Sequence, residues 1–326
     1  MKTLDLWRHL GGENKQARGN VDVLTNNAPS RCCPNLISFY LDDLYHDEPE
    51  SDSDSDSDDS APEVDTAAVR KLVLDSLPAD RLRRLDLEYD GSPTGAKLGA
   101  SFLATCTELV YLKLRYVPCW DAEAELRDAE FNFPHLMHLH FSGYQTDDHV
   151  LQSLLAAAPN LTHLFIDPSR CLSTIPPFQH SSLTNLAISI DVNHLPSLPT
   201  FTSFFPSLLH LEISIPESSI SSYSAVPSIN FLSSLPPTIR FLTIKSKQPA
   251  ALSLAIIPIL SASPRVVLPQ LEYFAAITEF RVEPTSLWDP IVDACNEGGV
   301  RMGGTLDELA RSTGFQSRKS QRLGEA

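Results

Sequence analysis

Apolar residues along this chain keep returning to one spacing, L-x-x-L-x-L. It is plainest in PHLMHLHFS at residues 134–142, PNLTHLFIDP at 159–168 and PSLLHLEIS at 206–214, where a histidine stands in the same slot each time. Strong copies place apolar residues at Leu36/Phe39/Leu41, Leu82/Leu85/Leu87, Leu109/Leu112/Leu114, Leu136/Leu139/Phe141, Leu161/Leu164/Ile166, Leu183/Leu186/Ile188, Leu208/Leu211/Ile213 and Ile239/Leu242/Ile244. Weaker copies stand at the ends, Met1/Leu4/Leu6 and Leu271/Phe274/Ala276. From Leu82 onward the first positions lie 27, 27, 25, 22, 25, 31 and 32 residues apart. The last two apolar positions of each copy alternate with other residues, the period-two pattern of a short strand with one buried face.

Between the copies the period changes to that of a helix. In residues 146–158, Thr146 is placed to cap, Asp147 and Asp148 suit the positive end of the helix dipole, and Val150, Leu151, Leu154 and Leu155 form an inward stripe. Ala250 to Leu260 and Ser286 to Cys295 read in the same way. Pro159, Pro206 and Pro269 end the intervening segments, because proline cannot continue a helix, and return the chain to the next strand. A strand and a helix recurring at roughly 20–29 residues is the signature of a leucine-rich repeat. Neither element can bury its apolar face alone, so copies stack. The expected fold is α/β, a leucine-rich repeat solenoid with a parallel concave β-sheet and convex helices and loops.

The pattern P-x-L-x-x-L-x-[LIF], preceded by a D-x-x-[VL]-L-x-x-L-L helix, resembles the irregular repeats of ribonuclease-inhibitor-like proteins. More narrowly, it resembles the repeat regions of fungal F-box-like proteins, over most of residues 1–300. Those regions often end in a helix with a Cys followed by a Gly-containing turn, matched here by Trp288-Asp289-Pro290 through Cys295 to Gly298, Gly299 and Val300. The resemblance implies the substrate-recognition part of a cullin-type ubiquitin ligase adaptor. No F-box is visible: Leu77-Pro78-Ala79-Asp80 resembles only its opening and runs straight into the strand at Leu82. Met1 falls on a strand frame, and terminal repeats need a polar outer face. The expectation is therefore that the N-terminal repeats lack a cap or upstream module, either because the chain is shortened or because it is a divergent relative that lost its leading module. The chain has no Asn in the turn slot that regular repeats use, and its connections vary in length, so the solenoid is expected to be uneven.

Composition changes this picture in places. With 326 residues and 42% hydrophobic content the chain has ample core. The formal charge of -16 is largely local: Asp47 to Asp65 holds ten acids and no base, so the remainder carries -6. An acidic chain is poorly suited to displacing counterions from phosphate backbones, so no nucleic-acid partner is expected. The acidic stretch has nothing apolar to bury and reads as a disordered insert. Ser51, Ser53, Ser55 and Ser57 within it stand in the context favoured by acidophilic kinases of the casein kinase type, and phosphorylation would add about 1.5 to 2 negative charges per site. The six cysteines form no CxxC pair and no signal stretch opens the chain, which suggests reduced thiols in the cytoplasm or nucleus. No apolar run approaches the roughly 20 residues that cross a bilayer, so no membrane partner is expected. Asn160-Leu161-Thr162 is formally a glycosylation sequon with a structural reading. Gly91 to Lys97 has a faint phosphate-loop look but lacks the glycine spacing and the following Ser/Thr, and reads as a turn before a helix. The segments expected are N-terminal repeats over 1–46, the acidic insert over 47–65, the solenoid over 66–300, with a long Ser-rich connection at Ser214 to Ser234, and a flexible tail over 301–326.

The slot between the first two strand positions points to the exposed face. It reads Arg84, Tyr111, His138, His163, Asn185, His210, Phe241, Tyr273, and the next exposed slot reads Asp86, Lys113, His140, Phe165, Ala187, Glu212, Thr243, Ala275. Strands about 4.8 Å apart turn these letters into ladders. The candidate partner-binding set is Arg84, Tyr111, Lys113, His138, His140, His163, Phe165, His210, Phe241 and Tyr273, in side chains favoured at interfaces. A merely solvated sheet face is the competing reading. Asp86 beside Lys113 and Glu88 beside Arg115 are opposed charges on adjacent strands, each contributing about 0.2–1 kcal/mol. His138, His140 and His163 with Asp167 offer metal-ligand types, but parallel side chains do not converge tetrahedrally, and no nucleophile motif accompanies them. The function expected is non-catalytic protein recognition without a cofactor. The alternative is a stand-alone scaffold regulated through the acidic loop; a metal-dependent enzyme using the histidines is a minor one.

Overall fold

The computed structural model describes residues 2–5, 36–42, 74, 77–88, 100–115, 130–143, 148–168, 180–191, 195, 197–215, 229–245, 256–262, 267–277 and 285–304. They fall into two compact units, Met1–Leu161 and Thr162–Ala326. No helix among the described residues is long and apolar enough to cross a membrane.

In the first unit, strands β1 (Lys2–Asp5), β2 (Leu36–Asp42), β3 (Arg84–Glu88), β4 (Tyr111–Arg115) and β5 (His138–Gly143) pair in parallel and in chain order. Helix α1 (Ala100–Thr105) stands between β3 and β4, and α2 (Asp148–Ala157) follows β5. In the second unit the order is β6 (His163–Pro168), β7 (Asn185–Ser189), α3 (Leu198–Thr202), β8 (His210–Ser214), β9 (Phe241–Lys245), α4 (Ile257–Ser261), β10 (Tyr273–Ile277), α5 (Thr285–Gly298) and β11 (Arg301–Gly304). Its strands are likewise parallel neighbours. The architecture is an α/β leucine-rich repeat solenoid.

The apolar frames account for this directly. Strands β3 to β10 each start two residues after a first-position Leu or Ile, and second position pairs with second position: Leu85, Leu112 and Leu139 in the first unit, and Leu164, Leu186, Leu211, Leu242 and Phe274 in the second. All of these are buried. Burying such a side chain contributes about 1.5–3 kcal/mol, and a one-residue slip would turn every one of them outward, so the pattern specifies the register. Val150, Leu151, Leu154 and Leu155 are the buried stripe of α2, as their spacing predicts.

A tight turn leads into each of β3 to β10. The first-position amide donates to the carbonyl three residues back: Leu82 to Ala79, Leu109 to Cys106, Leu136 to Phe133, Leu161 to Ala158, Leu183 to His180, Leu208 to Phe205, Ile239 to Pro236 and Leu271 to Leu268. Phe133, Phe205, Leu268 and Cys106 are buried in that slot, so the repeat has a further apolar position that the L-x-x-L-x-L frame omits. Leu77-Pro78-Ala79-Asp80 belongs to the same turn: a 3₁₀ segment, Ala79–Arg81, delivers the chain into β3. Side chains tie repeats together laterally. Asn160 Nδ2 donates to Pro134 O at 2.8 Å, which gives the sequon asparagine its structural role, and Thr238 Oγ1 donates to Leu208 O at 2.7 Å.

Several boundaries differ from the sequence reading. Arg301–Gly304, assigned to the tail, pairs with β10 as β11. Helix α5 ends in a left-handed turn at Gly299 (φ 68°), whose amide donates to Asn296 O while Val300 donates to Cys295 O. This closes the helix and aims the chain back along the sheet. Of Ala250 to Leu260 only the final turns are described, as Ile256 and α4. The end of the Ser-rich connection is a 3₁₀ segment, Ile229–Ser234, with Phe231 and Leu232 buried. The acidic insert, Ser51, Ser53, Ser55, Ser57, Gly91 to Lys97 and residues beyond 304 lie outside the described residues.

Candidate protein-recognition face

The outward slots form in-register rows within each unit. In the first unit Ser38, Arg84, Tyr111 and His138 stand side by side across β2–β5, and Asp86, Lys113 and His140 form the next row across β3–β5. The Arg84 guanidinium lies over the Tyr111 ring at 4.2 Å from its centroid, and the Tyr111 and His138 rings are 6.1 Å apart and tilted by 36°. A guanidinium on an aromatic face is held by the ring's negative quadrupole. Lys113 and His140 are half-buried.

Asp86 breaks the expectation for this face. Its slot is an outward one, yet the residue is only 4% exposed. Lys113 Nζ lies 3.3 Å from Oδ1 and Arg84 Nη2 3.4 Å from Oδ2. Both exceed the roughly 2.7–2.9 Å of a tight charge-assisted bond, and Oδ1 accepts no hydrogen bond of good geometry among the described residues. One carboxylate thus counters two cations. Of the paired charges expected at Glu88 and Arg115, the structure describes the backbone register but not the Glu88 side chain.

The second unit carries an aromatic row. His163, Asn185, His210, Phe241 and Tyr273 are consecutive neighbours across β6–β10. His210 stacks on Phe241 with centroids 4.1 Å apart and planes 9° from parallel, and Phe241 meets Tyr273 at 6.2 Å. Tyr273 leans onto β11: a Cβ at Gly303 would stand 1.6 Å from the Tyr273 hydroxyl and 2.3 Å from Cζ, so the ring occupies the space that only a glycine leaves. Ion pairs border the row on both sides. Arg240 clasps Glu272 through Nε at 2.9 Å and again through Nη2, and Lys245 reaches Glu212 at 2.6 Å. Phe165 is half-buried beside Ala187 in the adjoining row.

Burial lowers the affinity of His163 for a proton. For His210 the same desolvation acts first, reinforced by repulsion from His163 and Arg240. Both imidazoles are therefore held toward the neutral form, which suits a stacking surface rather than a cationic one. Among the described residues no three His, Cys, Asp or Glu side chains gather as metal ligands. His138 and His140 sit on β5 of the first unit, and His163 and Asp167 on β6 of the second. Burial pushes the Cys106 and Cys295 thiols up to about 12, which removes them as nucleophiles near neutral pH.

Two residues beside the outward rows fall outside the sequence-predicted set. Arg83 and Met137 occupy the row just before the strands, where the Arg83 carbonyl receives the Val110 and Tyr111 amides and the Val110 carbonyl those of Met137 and His138. Arg83 is exposed, and Met137 is 43% exposed. The signal available was the column itself, which follows each first-position Leu.

A family described as "FBD-associated F-box protein At5g56370, LRR repeats" matches residues 71–247. The chain belongs to this leucine-rich repeat family. The match runs from just before β3 to just past β9, so the family's repeats carry every candidate residue from Arg84 to Phe241, while Tyr273 lies on a repeat beyond it. Leucine-rich repeats stack into extended surfaces that serve as interaction modules. No curated protein matches the chain. Among solved structures, the leucine-rich repeat-containing protein LegL7 from Legionella pneumophila is similar at 17% identity and a TM-score of 0.35, over 81% of this chain and 90% of that one.

Proposed function

We propose that this chain is a non-catalytic protein-recognition module that binds its partner on the outward rows of its sheets, and that it supplies the substrate-recognition part of a cullin-type ubiquitin ligase in the cytoplasm or nucleus. The aromatic row of the second unit carries the recognition reading. His210, Phe241 and Tyr273 present side-by-side rings that are only partly covered, are fixed by stacking and by the Gly303 seat, and are framed by ion pairs. Rigid aromatic groups lose little entropy on binding and dominate interface energetics. The ligase role is supported by the F-box wording of the family description.

The test is quantitative affinity purification from cells of the source organism, comparing the full chain with a Phe241→Ala/Tyr273→Ala variant shown to melt like the parent. Proteins enriched by the parent and lost with the variant support recognition through this row, and a cullin adaptor among the proteins retained by both supports the ligase role. Recovery of identical partners by parent and variant refutes the assignment of the row. A partner lost with the variant but no cullin adaptor in either sample leaves a stand-alone scaffold.

A further inference from the structure

The aromatic row of the second unit runs one strand further than its rings. Tyr273 pairs with Arg301 of β11, so the row reads His163, Asn185, His210, Phe241, Tyr273 and Arg301 across β6–β11. Asn185 Nδ2 donates to Thr184 Oγ1 at 2.8 Å, and its carboxamide makes no other hydrogen bond among the described residues. A carboxamide carries two N–H donors and a carbonyl acceptor, so one donor and the acceptor remain for a ligand. Arg301 is exposed, and no carboxylate among the described residues pairs with its guanidinium. The other cations beside the row are committed, Arg240 to Glu272 and Lys245 to Glu212. Arg301 is therefore the cation that this face offers to a ligand.

Between these two polar groups stand the rings, His210 stacked on Phe241, Phe241 beside Tyr273, and Tyr273 seated over Gly303. Along the strands' order the row thus presents an amide, a partly covered aromatic stretch and a cation. A peptide group matches a carboxamide, since each has an N–H to give and a C=O to accept. Apolar side chains cover ring faces. A guanidinium matches a carboxylate, its two N–H donors meeting the two oxygens. From β7 to β11 there are four strand spacings. At about 4.8 Å each they span roughly 19 Å, which an extended chain covers in about six residues. We infer that the row binds an extended segment of a partner protein laid across the strands, with one of its peptide groups on Asn185, its apolar side chains on Phe241 and Tyr273, and an Asp or Glu carboxylate on Arg301. The inference rests on the recognition reading above and names the chemistry of what is recognised.

The experiment selects phage-displayed random peptides, about twice that length, on the full chain, and measures the enriched peptides, fluorescein-labelled, by fluorescence anisotropy. Enriched peptides that share an Asp or Glu beside apolar or aromatic residues are expected. Changing that acid to its amide in the peptide, or Arg301→Gln in the protein, should weaken binding about tenfold, and Asn185→Ala about threefold. Arg301→Glu should refuse the acidic peptide and accept its Lys-substituted counterpart, an exchange that a merely structural role for Arg301 would not produce. The peptide substitutions leave the protein untouched, so they keep the test informative if a variant destabilises the unit. A selection that enriches nothing, enriched peptides without an acid, or equal binding by the parent and either Arg301→Gln or Asn185→Ala overturns the proposal. Peptides that bind only after Asp52, Asp54, Asp56 and Asp58 are changed to Asn also overturn it, because the chain's own acidic segment would then be the occupant. If the acid and Arg301 prove indifferent while Phe241→Ala abolishes binding, only the acidic contact is lost and the recognition reading stands. If Phe241→Ala and Tyr273→Ala are without effect as well, the recognition reading falls with it.

Discussion

Replacing Lys113 by Met should destabilise the first unit far more than the exposed position of its row suggests. At an effective dielectric of about 20, unit charges at the observed 3.3 Å attract by roughly 5 kcal/mol, and the Arg84 contact at 3.4 Å is similar before screening. Arg84 is half-exposed and its share is discounted by solvent, whereas Lys113 is only 16% exposed and Asp86 nearly covered. Burying the carboxylate costs several kcal/mol, so the net value of the pair is small, yet removing one partner leaves most of that cost uncompensated. Lys113→Met should therefore lose about 2–3 kcal/mol, while Asp86→Leu/Lys113→Met, which removes both charges, should return to within about 1 kcal/mol of the parent. Urea denaturation followed by far-UV circular dichroism reads both as shifts of midpoint at constant slope. A Lys113→Met variant within about 0.5 kcal/mol of the parent would refute the reasoning, as would a double variant whose loss equals the sum of the two single ones.

Acidification should destabilise the second unit. His163 and His210 have folded-state pKa values below the ordinary 6.5, so the unfolded chain takes up protons first; the stability they contribute is present above pH 6.5 and lost as pH falls through the folded values. Urea midpoints measured down this range should fall, and His163→Asn/His210→Asn should flatten the dependence; an unchanged slope would discount both histidines. Leu154→Ala in α2 removes a fully buried side chain and should cost about 2–5 kcal/mol, readable in the same melts. Gly299→Ala meets no atom within 4 Å and so isolates the left-handed backbone; a loss of about 1–2 kcal/mol is expected, and a neutral result would contradict the turn. Cys106 and Cys295, with thiols pushed up to about 12, should react with a disulfide reagent only when the chain is unfolded in urea.

Much of the candidate site could be read from spacing alone. The alternation that buries Leu112 and Leu114 also puts Tyr111 and Lys113 outward, and the constant distance from one first-position Leu to its strand aligns Arg84 with Tyr111 and His138. The repeat, the strand register and the inward stripe of α2 follow from such local periodicities, because side-chain direction in a strand or helix is set by the backbone a few residues either way. Three features were not legible in that way. Asp86 stands in an outward slot but is buried because Arg84 and Lys113, each on its own place in the ladder, close over it. Tyr273 finds its seat on Gly303 only once β11 has paired with β10. The depressed proton affinity of His210 depends on His163 two strands away and on Arg240. The sequence by itself therefore determined the fold, the register and the membership of each row. Only the tertiary structure decided which members are covered, paired or neutral, since burial and charge interactions depend on residues brought together from different repeats.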